Sequence, residues 1–194
     1  AVSHALATLG YDAATVPFSL NLPAVIRQLR KLRPVLVFNL VESVSGDGRL
    51  VALAPALLEH LRIPYSGCTS DAIHLTSHKP TAKNLMHGAG IPTPPWISLL
   101  EPPILPPPDG ADCLVKAVWE HASVGLEPQT VRMENPVSLR ELLRERQRLN
   151  RREFYAEEYI DGREFNLSVL GGEVLPIAEI LFTDWEPDKL KIVD

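Results

Sequence analysis

The chain has 194 residues, of which 45% are hydrophobic and 22% are charged, and its formal net charge at pH 7 is −5. These values are typical of a soluble globular protein with a hydrophobic core, built as one large domain or two small ones. The negative charge argues against a nucleic-acid-binding surface, which requires concentrated lysine and arginine.

The two cysteines, Cys68 and Cys113, have no metal-binding or redox spacing. We therefore expect two free thiols in a reducing cytoplasm. No apolar run reaches the ~18 residues that span a bilayer, so we expect no membrane partner.

Strand and helix patterns alternate along the first 70 residues. We predict the end of a helix at 1–9, a weak strand at 11–18, a helix at 22–33, a strand at 34–40, a helix at 50–61 and a short strand at 63–67. The run at 34–40 is continuously apolar, as in strands inside parallel sheets. This alternation indicates an open α/β domain over residues 1–70.

A second domain is predicted over residues 71–194. Its expected elements are a helix at 79–89, an extended stretch at 91–99, a strand at 114–118, a helix at 136–149 and strands at 154–160, 163–170 and 174–182. Ser138 and Glu141 have the spacing of a helix capping box. Asp161-Gly162 is the strongest short hairpin signal in the chain and predicts that its flanking strands pair.

One predicted strand carries a charge in its middle. Cys113–Val118 reads Cys-Leu-Val-Lys-Ala-Val and continues into a loop of mostly small residues, Glu120–Gly125. Burying an ammonium group in an apolar run is costly unless an anion meets it. Taken alone, the pattern is more typical of a half-exposed strand whose Lys116 extends to water. Lys79, at the head of a helix upstream, and the acids of Ala156–Asn166 downstream favour an anion site instead.

Two common nucleotide-binding motifs are missing from the sequence. The loop after Lys116 lacks the Gly-x-x-x-x-Gly-Lys-Ser/Thr spacing, which excludes a Walker-type P-loop. No Gly-x-Gly-x-x-Gly follows a predicted strand, which argues against a dinucleotide-dependent oxidoreductase.

The order of the remaining pieces resembles that of the ATP-grasp ligases, and most of all that of the D-alanine–D-alanine ligases. Those pieces are a lysine helix, a lysine strand with a small-residue loop, and an acidic hairpin, and the resemblance extends from Val35 to Asp194. It implies an α/β fold with an N-terminal, Rossmann-like parallel-sheet domain followed by an ATP-grasp domain, incomplete at both ends. The central lid subdomain is expected at about 71–157 and the start of the C-terminal subdomain at 158–194.

The resemblance assigns the phosphates of ATP to lysines and to the small-residue loop. Lys79 and Lys116 are expected at the α- and β-phosphates, and the backbone of Ser123, Val124 and Gly125 at the β- and γ-phosphates. Lys116 and Ser123 are the expected catalytic residues. Lysines and backbone N–H groups are suitable partners for phosphate oxygens.

The nucleoside is assigned to the acidic segment. The resemblance implies that Glu157 accepts from the adenine amine, that the backbone of Ile160 meets a ring nitrogen, and that Glu164 accepts from the ribose hydroxyls. Tyr159 is expected beside the base. The competing interpretation is a solvated strand edge on which Glu157 and its neighbour Glu158 pair across to Arg163.

For function, the resemblance implies an ATP-dependent ligase that joins small amino acids through an acyl phosphate, with release of ADP and phosphate, as in cell-wall biosynthesis. Its Mg²⁺ ligands are expected beyond residue 194. The expected partners are ATP and amino acids, with a homodimer left open. Ala117, Ala122 and Asn39-Leu40 depart from the family pattern and leave the identity of the amino acid open. The alternative is a degenerate ATP-grasp protein that binds nucleotide in a regulatory or structural role.

Overall fold

The computed structural model describes residues 2–100, 105–120, 131–133, 135–186 and 190–192. The chain divides into two compact units, residues 1–78 and residues 79–194. The helices are α1 Val2–Thr8, α2 Leu22–Leu32, α3 Leu53–Leu61, α4 Ser70–Ser77, α5 Lys79–Gly88 and α6 Pro136–Asn150. The strands are β1 Trp96–Ser98, β2 Asp112–Ala117, β3 Val131–Arg132, β4 Phe154–Glu158, β5 Glu164–Asn166, β6 Val169–Leu170, β7 Glu173–Val174 and β8 Ala178–Ile180. Among the described residues, no helix is both long enough and apolar enough to cross a membrane.

The first unit has a small core between α2 and α3. Val25 and Leu29, one helical turn apart on α2, are buried against Leu58 of α3. Helix α2 begins where the side chain of Asn21 accepts a hydrogen bond from the backbone N–H of Ala24 at 3.2 Å. The periodicity of the sequence therefore predicted this helix correctly.

The two strands predicted at the start of this unit are not formed as expected. Residues 11–18 have no regular structure, and Pro17 within them has no N–H to donate to a ladder. In place of a continuous strand at 34–40, the structure has a single parallel bridge between Val37 and Tyr65. Val35, two residues before Val37 in the same run, is 86% exposed, so this run is not covered on both faces within the described residues.

The second unit is built on an antiparallel sheet. Its described strands have the order β1-β4-β2-β3, so β4 lies between β1 and β2. Because side chains alternate along a strand, Val115 and Ala156 point to the same face of the sheet. On that face they pack with Leu139 and Leu143 of α6 in the largest cluster of buried residues described in the chain.

Replacing Leu143 with alanine tests this core. Leu143 is fully buried on the side of α6 that packs against the sheet, so the substitution should lower the free energy of unfolding by about 2–5 kcal/mol through lost burial and the cavity left behind. Urea denaturation measures the change. Leu149→Ala, on the same helix but 62% exposed, is the matched control and should change the stability by less than about 0.5 kcal/mol.

Helix α6 begins at Pro136 as predicted, but a different residue caps it. The cap is Asn135, whose side-chain oxygen accepts from the backbone N–H groups of Val137 and Ser138 at 3.0 and 2.9 Å. Ser138 therefore lies inside the first turn, and the predicted capping box with Glu141 is wrong. Asparagine is as good an N-cap as serine, and the proline after it suits the first helical position.

The hairpin predicted at Asp161-Gly162 is also wrong. β4 has neighbours on both edges, so no edge is free for the strand that follows it. β5 instead pairs antiparallel with β8, and Gly171-Gly172 turns the chain between β6 and β7. Arg163 consequently forms a two-point ion pair with Glu179 at 2.7 and 2.8 Å, and not with Glu157 or Glu158.

Candidate functional site

The face of the sheet opposite α6 brings Lys116 and Glu157 together. Lys116 on β2 is directly opposite Tyr155 on β4, which makes Glu157 its diagonal neighbour across the two strands. The Lys116 Nζ lies 2.6 Å from the Glu157 Oε1. The Glu157 side chain is 12% exposed and the Lys116 side chain 30% exposed. The solvated strand edge considered for Glu157 is therefore not what the fold provides.

A second lysine, Lys83 on α5, binds the other oxygen of the same carboxylate. Its Nζ lies 2.7 Å from the Glu157 Oε2 and 2.8 Å from the Thr93 Oγ1, and 5.3 Å from the centre of the Trp96 ring. The Lys83 side chain is only 6% exposed. Sequence reasoning gave Lys83 no role. The sequence feature that points to Lys83 is its position four residues after Lys79, which places both lysines on one side of the helix.

The two ammonium groups determine the ionisation of Glu157. Burial by itself raises the pKa of this carboxyl group, but the charges and hydrogen bonds of Lys116 and Lys83 outweigh burial, and the net pKa is lowered. The pKa of the neighbouring Tyr155 is raised well above its usual range, first by burial and then by the Glu157 charge. Glu157 is thus a buried acceptor that remains ionised at neutral pH.

Lys79 lies at the first residue of α5 and holds the end of the lysine strand. Its ammonium group donates to the backbone carbonyls of Ala117 at 3.0 Å, of Val118 at 3.3 Å and of Glu120. Burial, together with the nearby Lys116 charge, lowers the Lys79 pKa from 10.5 to about 8. The Glu120 carboxylate lies 3.3 Å from Arg152. Lys79 therefore ties α5 to the point at which the predicted phosphate loop begins.

Lys79, Lys83 and Lys116, here called the lysine cluster, outnumber Glu157, the carboxylate that two of them contact. The three ammonium groups and Arg152, set against the carboxylates of Glu157 and Glu120, leave a surplus of two positive charges when all six groups are ionised. Backbone carbonyls and a hydroxyl satisfy some of the N–H donors without cancelling that charge. A part-buried positive surplus of this kind favours a polyanionic ligand such as a phosphate chain.

The other predicted site residues have different positions. Tyr159 and Ile160 follow Glu158, the last residue of β4. The Tyr159 N–H donates to the Asp112 carbonyl at 2.8 Å, and Ile160 is 59% exposed. Glu164 lies on β5, in the separate sheet with β8, and is exposed. The predicted loop residues Ser123, Val124 and Gly125 lie outside the described residues.

The described residues contain no group of three or more histidine, cysteine, aspartate or glutamate side chains that could hold a metal ion. They therefore give no fit for a Mg²⁺ site.

No protein-family model matches the chain. The D-alanine–D-alanine ligase of Aquifex aeolicus (strain VF5) is 30% identical over 183 residues, which are 93% of this chain and 59% of that protein. The D-alanine–D-alanine ligase of Cereibacter sphaeroides (strain ATCC 17029 / ATH 2.4.9) is 32% identical over 94% of this chain and 56% of its own length. The chain thus spans less than two thirds of the length of these relatives.

Solved structures show the fold. The D-alanine–D-alanine ligase of Bacillus anthracis complexed with ATP superposes with a TM-score of 0.60 at 24% identity, over 92% of this chain and 58% of that one. The biotin carboxylase domain of the Hydrogenobacter thermophilus 2-oxoglutarate carboxylase, a complex with MgADP, superposes with a TM-score of 0.50 at 18% identity, over 75% of this chain and 33% of that one. The mixed α/β fold is therefore that of the ATP-grasp ligases.

Within that class, the chain is a relative of the D-alanine–D-alanine ligases. The resemblance inferred from the order of its lysine and acidic segments is confirmed.

Proposed function

We propose that the protein is an ATP-dependent carboxylate–amine ligase of the D-alanine–D-alanine ligase type, which joins small amino acids in the cytoplasm. The observation that carries this proposal is the meeting of Lys116 and Glu157 at 2.6 Å, with Lys79 at the end of the same strand. Two lysines that the resemblance assigns to phosphate thus lie near the glutamate that it assigns to adenine.

The lysine cluster and Glu157 have complementary tasks in this proposal. Lys116 neutralises phosphate oxygens through charge-assisted hydrogen bonds, which are the strong ones. Lys79, whose three N–H groups donate to backbone carbonyls, adds its positive charge. Glu157, ionised and buried, accepts from the amine of adenine. Tyr159, the Ile160 backbone and Glu164 would border the rest of the nucleoside, and the backbone of Ser123, Val124 and Gly125 would meet the terminal phosphates.

ATP supplies the phosphoryl group that converts a carboxylate into an acyl phosphate, which the amine of a second substrate then attacks. In such a reaction the protein acts mainly through positioning and charge neutralisation. Mg²⁺ belongs to the proposed reaction because it usually accompanies the phosphates of ATP.

An ADP-release assay tests the proposal directly. The protein is incubated with ATP and Mg²⁺ and with D- or L-amino acids, singly and in pairs, and ADP and phosphate are measured. Release that depends on both an amino acid and Mg²⁺ is the expected result. If ATP binds and no amino acid or pair of amino acids supports turnover, the alternative of a nucleotide-binding module applies. The departures at Ala117 and Ala122 favour that alternative.

The pH dependence of ATP affinity is a further expected result. The Lys79 pKa of about 8 means that its ammonium group loses its proton as the pH rises through 8, and attraction for phosphate should fall over that range. Titrations with ATP between pH 6.5 and 9.5 measure the change. Lys79→Arg should flatten the profile, because arginine remains charged throughout. An unchanged profile in that variant would assign the pH dependence to another group.

The same pKa shift has the opposite sign for folding. Because the folded protein binds the Lys79 proton less tightly than the unfolded chain does, this residue's contribution to stability increases as the pH rises from about 8 to 10.5. Titration of Lys79 therefore does not destabilise the fold over this pH range, and the expected fall in ATP affinity would reflect the lost charge and not unfolding.

A further inference from the structure

Glu157 has two lysine partners whose surroundings differ. Lys83 is 6% exposed and is held by Thr93 at 2.8 Å as well as by the carboxylate, with the Trp96 ring beneath its ammonium group. Lys116 is 30% exposed, and among the described residues Glu157 is its hydrogen-bond partner. Lys83 is thus fixed by three neighbours, whereas the more accessible Lys116 is held chiefly by one ion pair.

This difference matters once an anion arrives. If Lys116 moves from Glu157 to a phosphate, the carboxylate keeps Lys83 at 2.7 Å and remains paired. Without Lys83, the same movement would leave the Glu157 carboxylate, which is only 12% exposed, without a counter-ion. A buried charge that has no counter-ion is strongly unfavourable. Lys116 would then stay on Glu157 and would not be available to bind the phosphate.

We infer that Lys83 is a positioning residue that stays on Glu157 when nucleotide binds and so releases Lys116 to the phosphates. The inference rests on the proposed function, because it requires a nucleotide at this site. Lys83 acts through Glu157 and Lys116 and does not itself contact the nucleotide.

A double-mutant cycle with ATP binding as the readout tests the inference. Lys83→Met keeps an unbranched side chain over Trp96 but removes the charge, and it should weaken ATP binding by at least about tenfold, the loss of roughly one charged hydrogen bond. In a Glu157→Gln background the neutral amide needs no counter-ion. There, Lys83→Met should change ATP affinity by less than about threefold.

A purely structural role for Lys83 would give the same loss in both backgrounds, and that result, or an unchanged affinity in Lys83→Met alone, overturns the inference. Lys31→Met on α2 removes the same charge from an exposed position in the first unit and should leave ATP affinity unchanged. It controls for the general effect of net charge.

A second variant keeps the test decisive if Lys83→Met folds poorly. Thr93→Val removes the hydroxyl that anchors Lys83 and leaves every charge in place. It should weaken ATP binding by about threefold in the wild-type background and not in the Glu157→Gln background, and equal losses in both overturn the inference. If the wild-type protein itself binds no ATP, the proposed function fails as well; if wild type and Lys83→Met bind ATP equally, the inference alone fails.

Discussion

Replacing Lys116 with alanine is expected to weaken ATP binding by about 1.5–3 kcal/mol, or roughly 10- to 150-fold, the usual effect of removing one charged hydrogen-bond partner. In the free protein Lys116 bonds to Glu157, and Lys83 keeps that carboxylate paired after the substitution. The fold should therefore tolerate the change, and the loss should appear in binding. Isothermal titration with ATP measures it, with thermal unfolding of the free protein recorded in parallel.

The control for this prediction is Lys31→Ala, which removes the same charge from an exposed position on α2. It should leave ATP affinity unchanged, because an exposed lysine that belongs to no described ion pair contributes little beyond its share of the net charge. Unchanged ATP affinity in Lys116→Ala would refute the assignment of this lysine to the phosphates.

Local patterns in the sequence were sufficient for several elements and for part of the site. The helix predicted at 136–149 is Pro136–Asn150, and the strand predicted at 114–118 is Asp112–Ala117. Apolar periodicity and proline placement are properties of short windows, so a sequence carries them without knowledge of the fold. The lysine in the middle of an apolar strand belongs to this class of signal.

Pairing between distant segments could not be read in the same way. Asp161-Gly162 is a good turn sequence, yet β4 is a central strand, and the competition for its two edges is settled by β1 and β2. The contact between Lys83 and Glu157 joins residues 74 positions apart. The spacing of Lys79 and Lys83 indicates only that they share one side of α5, whereas the contact with Glu157 depends on how α5 lies against the sheet.

The meeting of Lys116 and Glu157, 41 positions apart, was anticipated only through the resemblance to ATP-grasp ligases. The resemblance supplied the pair, but not the third residue that shares the carboxylate. A resemblance to a family assigns the side chains that contact a ligand. The side chains that keep those residues ionised and oriented are seen only in the folded structure.

Replacing Glu157 with alanine should lower the free energy of unfolding by about 3–5 kcal/mol, the usual cost of removing one partner of a buried ion pair. The substitution leaves the Lys83 ammonium buried without its carboxylate, and it brings the like charges of Lys83 and Lys116 together with nothing between them. Urea denaturation at pH 7 measures the change. Glu158→Ala, at the adjacent position on the same strand, is the matched control, expected within about 0.5 kcal/mol of the wild type.

The effect of Glu157→Ala should also depend on pH in a defined direction. The folded-state pKa of Glu157 lies below its ordinary value of 4.5, so the carboxylate's contribution to stability is complete above 4.5 and is lost as the pH falls through the folded value. The stability difference between the wild type and Glu157→Ala should therefore shrink in acid. A difference that stayed constant from pH 7 to pH 3 would mean that lost packing, and not the charge of Glu157, accounts for the destabilisation.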